Sequence, residues 1–254
     1  MLRQLANLWH YGRIRTIDPT PRWRKPRFLR ENPELELSNV LDFVVAHHNR
    51  PNADFFFVEV GAFDGVTADP IYHLVRQQGW RGVLVEPQCE AFELLKKNYA
   101  DHQGLQFFNV VIGPHNGEIT LYTRQGGNVQ AASVEKQLMN KPGRRGRMLD
   151  ARQVPCWTFD KLLQEAHAPE TIDLLQIDAE GFDYEIIRSI DFDRVKPAII
   201  RYEHMVLSQS DRNSCLELLA QQGYRFFLED ADTTAYHADG YAAGRVAKPQ
   251  DLAA

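Results

Sequence analysis

Carboxylates stand at the ends of short apolar runs in this sequence, and their spacing defines the chemistry open to it. Glu59 lies in Phe55-Phe56-Phe57-Val58-Glu59-Val60 and is followed by the glycine-bounded turn Gly61-Ala62-Phe63-Asp64-Gly65. Glu86 closes Val83-Leu84-Val85 and lies 25 residues beyond Gly61. Asp178 follows Leu174-Leu175-Gln176-Ile177, with Glu180 in the turn after it, and Glu203 follows Ile199-Ile200-Arg201-Tyr202, with His204 beside it. A dinucleotide turn, G-x-G-x-x-G, lets bare backbone approach a pyrophosphate, whereas this turn is G-x-x-x-G with Phe63 and Asp64 filling the gap. Two like charges ~4 Å apart repel by about 4 kcal/mol at an effective dielectric of ~20, so Glu59 and Asp64 suit an ammonium or sulfonium ligand better than phosphates. Glu86 is spaced to accept hydrogen bonds from both hydroxyls of an adenosine ribose.

S-adenosylmethionine combines a sulfonium, an ammonium and such a ribose. A local reading is also open: Glu59 and Asp64 can cap loop and helix, Asp178 can cap a helix, and Glu180 can be its first-turn dipole partner, each worth ~1 kcal/mol. Read together, acids from separate runs converge on one edge, where surface acids would scatter.

The elements that must position these acids repeat one grammar. Each acid-bearing run is short enough for a buried strand, and helical spacing follows it: Ile71, Leu74, Val75 and Gln78 after the first, Ala91, Phe92, Leu95 and Tyr99 after the second. Tyr184-Glu185-Ile186-Ile187 continues the third as helix. Strand, turn and helix in alternation predict an α/β fold with a mostly parallel central sheet, whose carboxyl edge collects the acids. Residues 105–112 read as a third strand, whose Val110 and Val111 would wall an adenine ring. Gly117-Glu118-Ile119-Thr120-Leu121-Tyr122 reads as an added strand or hairpin arm, and the chain returns through Val154-Pro155-Cys156-Trp157. A helix from Asp211, stopped by Gly223, precedes a strand at residues 224–228 and a last one at 233–236.

The chain has 254 residues, 44% hydrophobic and 25% charged, which fits one sizeable globular domain with appendages. Residues 1–52 form a basic arm, rich in Arg13, Arg15, Arg22, Arg24 and Arg27, followed by a packing helix that Ser38 caps and His48 ends. The arm either packs its aromatics on the domain or touches an anionic surface. Residues 53–238 form the main domain, interrupted at about 124–152 by a basic, glycine-containing insertion, and 239–254 form a loosely held tail. The insertion is either a mobile surface loop or, as its basic residues against an acidic remainder favour, a loop that contacts an anionic or heavily hydroxylated substrate. A formal net charge of −5 gives no whole-protein reason to expect nucleic acid. No apolar segment approaches the roughly 20 residues that span a bilayer, and no signal-peptide core opens the chain, so a cytoplasmic setting is expected. Cys89, Cys156 and Cys215 lack CxxC spacing, which fits a reducing compartment without a zinc site.

Three stretches resemble the FkbM family of S-adenosylmethionine-dependent methyltransferases. They are residues 57–65, Glu86-Pro87 with Phe92, Leu95 and Asn98 downstream, and residues 173–181 with the core Ile177-Asp178-Ala179-Glu180-Gly181. Gly117-Glu118-Ile119, Thr158-Phe159-Asp160 and Lys196-Pro197 add to the likeness, which covers roughly residues 54–230. Phe63 stands where relatives often carry Asn, Gln176 where Lys is common, and Phe159 where Leu is usual. The resemblance implies a class I methyltransferase fold, a Rossmann-like three-layer sandwich, and methylation of a hydroxyl on a sugar, glycan or small natural product.

Glu59, Gly61, Ala62, Asp64 and Gly65 would hold the methionine end of the cofactor, Glu86 and Pro87 the ribose, and Val110 and Val111 the adenine. Asp178 would lie between cofactor and acceptor, with Glu180, Glu203 and His204 as its catalytic companions. Two routes for the acceptor's proton stay open: a carboxylate or His204 acts as base, or Asp178 and Glu203 hold a divalent cation such as magnesium that acidifies the hydroxyl. The rival reading is a non-catalytic nucleoside-binding domain that recruits an anionic partner through its basic arm and loop. A nicotinamide-dependent oxidoreductase conflicts with the glycine spacing. Oligomeric state is left open, a homo-oligomer included.

Overall fold

The computed structural model describes residues 40–48, 50–124, 132–134 and 149–237. The basic arm, the Ser38 cap, most of the basic insertion and the tail from 239 lie outside the described residues.

The chain opens with α1 (Val40–His48), then alternates β1 (Phe56–Val60), α2 (Tyr72–Gln78), β2 (Arg81–Val85), α3 (Cys89–Asn98) and β3 (Leu105–Phe108). A side excursion follows through β4 (Val111–Ile112), β5 (Gly117–Arg124) and β6 (Leu149–Trp157). The alternation resumes with α4 (Phe159–Glu165), β7 (Leu174–Ile177), α5 (Asp183–Arg188), β8 (Ile199–Glu203), α6 (Gln209–Gln221), β9 (Tyr224–Leu228) and β10 (Asp232–His237).

Among the described residues the main sheet has seven strands in the order β3-β2-β1-β7-β8-β10-β9. The first five run parallel, and β10 and β9 close the sheet antiparallel. All five β1 residues are buried, which is how a parallel strand covered on both faces reads in sequence. Alternate side chains serve different layers: Phe56, Val58 and Val60 join Leu162, Ile186 and Ile187 on one face, while Phe57 joins Leu41, Leu74, Trp80 and Leu95 on the other. The result is three layers, helices on both sides of one sheet. No helix of the described residues is long and apolar enough to cross a membrane.

Strand order reverses at the β1–β7 junction, because β2 and β3 step one way and β8 steps the other. At such a switch point the connections diverge and leave a crevice over the carboxyl ends of the strands. Gly61 makes the crossing possible. Its φ is +85°, and a Cβ there would lie 1.9 Å from the Asp178 carbonyl oxygen, so only glycine fits. Its N–H donates to Val85 O at 2.9 Å, and Asp178 N donates to Val60 O at 2.9 Å, which locks the ends of β1, β2 and β7 together.

Two boundaries differ from the sequence expectation. Residues 105–112 are two strands, because the chain leaves the main sheet after Phe108, where the Asn109 side chain donates to Glu86 O at 2.7 Å. The second piece, β4, joins a separate sheet of order β4-β6-β5 with its own core of Val111, Leu121, Val154 and Cys156. Strand β6 begins at Leu149, inside the expected insertion, and pairs antiparallel with β5 up to Gly117.

The opposite, amino-terminal edge of the sheet is tied by a buried carboxylate. Asp173 accepts from Phe56 N at 2.8 Å through Oδ2, and its Oδ1 lies 2.8 Å from His48 Nε2 and 3.2 Å from Arg50 Nε. It joins α1, β1 and β7 in one contact. Asp173→Ala should lower the unfolding free energy by about 3 kcal/mol, read as a shift in the urea midpoint at unchanged slope.

Candidate active site

A cavity of about 220 Å³ opens over the carboxyl ends of β2, β1, β7 and β8. Six carboxyls face it: Glu86, Glu59, Asp69, Asp178, Glu180 and Glu203. Among the described residues no lysine, arginine or histidine lines it. Strand order sets the acids in sequence along the edge, Glu86 after β2, Glu59 on β1, Asp178 after β7 and Glu203 at the end of β8.

Glu59 is 3% exposed, and its Oε2 receives no donor from any described residue. Burial raises its pKa well above the carboxylate range, and Asp69, Asp178 and Glu86 add to the effect. Asp69 comes from the loop before α2. Its Oδ1 accepts from Ile71 N at 2.7 Å and Tyr72 N at 3.0 Å, while its Oδ2 is buried without a donor among the described residues. Burial pushes Asp69 up to about 6 against the pull of those two N–H groups.

Glu86 is held differently. Its Oε2 accepts from Phe63 N at 2.9 Å and its Oε1 from Gln88 N at 2.7 Å, so the group is oriented while each oxygen keeps a lone pair for a ligand. Burial nevertheless raises it to about 7. Beyond Glu86 the wall turns apolar with Val110, Val111, Ile112 and Leu121.

On the β7–β8 side, burial and Asp232 raise Asp178 to about 6, opposed by the Arg201 charge. Burial first, then Asp178, Asp183 and Glu180, push Glu203 to about 9. Arg201 donates to Gln176 Oε1 at 3.3 Å and to Asp232 Oδ2 at 2.7 Å, which fixes Gln176 in the cavity wall. Glu180 adopts a left-handed φ of 48°, and its carbonyl accepts from Ser133 Oγ at 3.2 Å. Ser133 also pairs with Tyr122 through both backbone groups, so residues 132–134 form a wall on this side.

Most sequence-selected residues meet in the cavity: Glu59, Gly61, Ala62, Glu86, Pro87, Val110, Val111, Asp178, Glu180 and Glu203. Three do not. Asp64 closes its own loop, Oδ1 accepting from Val66 N at 3.0 Å and Thr67 N at 2.7 Å, and Oδ2 from Thr67 Oγ1 at 2.7 Å. Burial works against it, yet the hydrogen bonds from Thr67 and Val66 lower its pKa. Gly65 serves packing, since a Cβ there would lie 2.5 Å from Leu95 Cδ1 and 2.6 Å from a Tyr99 ring carbon. His204 turns away, its Nδ1 lying 3.0 Å from Thr233 Oγ1. The metal expectation at Asp178 and Glu203 finds no ligand set: among the described residues no group of three or more His, Cys, Asp or Glu is arranged to hold an ion.

Sequence reasoning missed Asp69, Gln88, Ser133 and Phe182 as lining residues. Asp69 did carry a signal, an acid just ahead of the first turn of a helix, but a cap accounts for only one of its oxygens.

The Methyltransferase FkbM domain matches residues 59–226. The chain belongs to the FkbM methyltransferase family. Its fold is similar to that of the methyltransferase FkbM from Methylobacillus flagellatus KT, at 14% identity and a TM-score of 0.47, over 73% of this chain and 44% of that one. It is also similar to the N-terminal domain of human METTL16, at 14% identity and a TM-score of 0.43, over 86% of this chain and 73% of that one. A precorrin-6y C5,15-methyltransferase from Geobacter metallireducens GS-15 aligns at 13% identity and a TM-score of 0.39, over 76% and 86% of the two chains. The FkbM chain thus spans less than half the length of the Methylobacillus protein. No curated protein matches it in sequence.

The methyl donor of such enzymes, S-adenosylmethionine, suits the donor set found here. Glu59 Oε2 and Asp69 Oδ2 are buried acceptors without donors among the described residues, and Glu86 has lone pairs to spare. The raised acids also have a consequence for the ligand-free FkbM chain. Glu86 rises from 4.5 to about 7 on folding, so its contribution to stability is complete below pH 4.5 and lost as pH climbs to 7. Glu59, Asp178 and Glu203 are raised and act in the same sense. The melting temperature should therefore rise as pH is lowered from about 8 to about 6, and Glu86→Gln should flatten that dependence, a change that differential scanning calorimetry reads directly.

Proposed function

We propose that the FkbM chain transfers the methyl group of S-adenosylmethionine to a hydroxyl of a sugar, glycan or small natural product. The observation that carries this reading is the cavity at the switch point, faced by six carboxyls and, among its described lining, by no cationic side chain. Such a lining suits a sulfonium donor and an acceptor that is neutral at the reacting hydroxyl.

In this reading Glu59 and Gly61 hold the methionine end, Glu86 takes the ribose hydroxyls, and Val110, Val111 and Ile112 flank the adenine. The bound cofactor supplies an activated methyl that needs no further polarisation. What is left for the protein is to align the acceptor and remove its proton. Strand order puts Asp178 between Glu59 and Glu203, at the junction of the nucleoside half and the β7–β8 half of the cavity. Asp178 is the proposed base, with Glu180 and Glu203 orienting the hydroxyl. His204 is not required, since its ring is engaged with Thr233. A cytoplasmic setting is part of the same proposal; Cys89, Cys156 and Cys215 are all free, which suits a reducing compartment.

Transfer of a labelled methyl group to a panel of hydroxylated sugars, glycans and small natural products tests the reading. Asp178→Asn should lower kcat by about 10²- to 10⁴-fold, while cofactor affinity stays within about threefold. Cofactor binding without transfer to any hydroxyl in the panel would instead favour a non-catalytic nucleoside-binding module.

A further inference from the structure

We infer that Asp69 is a cofactor-binding residue: with Glu59 it forms a subsite that grips the ammonium group of the donor's amino-acid moiety. The inference rests on the methyl-donor reading above and adds to it a residue and a ligand group. Asp69 reaches the cavity from the far end of the loop that follows β1, and its two oxygens have separate tasks. Oδ1 is pinned by Ile71 N and Tyr72 N, so the carboxyl cannot rotate freely, and Oδ2 takes no part in the cap. Oδ2 is buried and has no donor among the described residues, and the same holds for Glu59 Oε2. Both residues line the cavity.

A third buried atom, the Tyr99 hydroxyl, has no partner among the described residues. Tyr99, 1% exposed at the end of α3, has an unsatisfied hydroxyl within electrostatic reach of both Asp69 and Glu59. Unsatisfied polar groups drawn from three elements to one place are costly unless a ligand or water completes them. The chemistry of the atoms selects the ligand. Carboxyl oxygens accept, so the missing partner is a donor, and the two acids favour a positive one. An ammonium brings three N–H donors and a full charge, whereas a sulfonium brings charge alone. The ribose has Glu86. Asp64, the acid that the loop sequence offers first, is closed on Val66 and Thr67 and leaves this position to Asp69.

Titration calorimetry on the full chain with two nucleosides tests the subsite. S-adenosylhomocysteine carries the amino acid without a sulfonium, and 5′-methylthioadenosine carries the thioether and adenosine without the amino acid. Asp69→Asn keeps an oxygen for the α2 N–H groups but removes the carboxylate, so it should weaken S-adenosylhomocysteine by about tenfold or more and leave methylthioadenosine within about twofold. Glu86→Gln should weaken both. Asp69→Ser, which also retains a capping oxygen, should repeat the selective loss and replaces Asp69→Asn should that variant fold poorly. Equal losses for the two nucleosides, or none, would overturn the subsite while leaving the methyl-donor reading intact. A wild-type chain that binds neither nucleoside would overturn both.

Discussion

Desolvated carboxyls held close to one another are the constraint around which this molecule is arranged. Glu59, Asp69, Glu86, Asp178 and Glu203 are each raised by burial, and Asp178 is a common contributor to the shifts of Glu59, Glu86 and Glu203. Each raised acid is therefore a group whose charged form the fold disfavours. Such an arrangement persists because the rest of the sheet over-determines it. Strands β1, β2 and β7 are buried on both faces, and the Gly61 crossing admits no side chain.

Backbone donors moderate the repulsion and also aim the acids. Phe63 N and Gln88 N pull Glu86 in the opposite direction from burial, and the first N–H groups of α2 do so for Asp69. On Glu86 each donor uses one lone pair of an oxygen and leaves another open, whereas on Asp69 both converge on Oδ1 and leave Oδ2 open. Stabilisation of the free protein and orientation toward a ligand are therefore the same hydrogen bonds. Asp64 shows the alternative: the three donors that lower its pKa also consume it within the loop.

Much of this was legible in the sequence because parallel strands covered on both faces read as unbroken apolar runs, and Glu59, Glu86, Asp178 and Glu203 punctuate them. What was not legible depended on where a side chain turns. Asp64 and Asp69 sit five residues apart in one loop, and sequence cannot say which of them the loop's own N–H groups will claim. His204 directly follows a site residue, yet its ring leaves the cavity for Thr233 on the antiparallel strand β10, a neighbour set by topology alone. The break between Phe108 and Val111 was hidden for a similar reason. Both halves are apolar, and only a second sheet, built from residues on the far side of the insertion, gives β4 a separate partner.

The two halves of the cavity differ in how their walls are made. On the β1–β2 side, Glu59, Gly61 and Glu86 belong to strands of the main sheet or to turns bonded directly to it, so their positions follow from the fold itself. On the β7–β8 side the walls are borrowed. Ser133 is held by Tyr122 of β5 and reaches Glu180 O, and Glu180 occupies a left-handed turn that a non-glycine residue adopts only under local constraint. Gln176 is oriented by Arg201 from the neighbouring strand, whose positive charge also acts on Asp178. A change in β5, β6 or the segment at 132–134 therefore reshapes the β7–β8 side without disturbing the ends of β1 and β2. That division of labour lets one side of the cavity change while the other is kept, and it follows from the connectivity of the two sheets rather than from any single side chain.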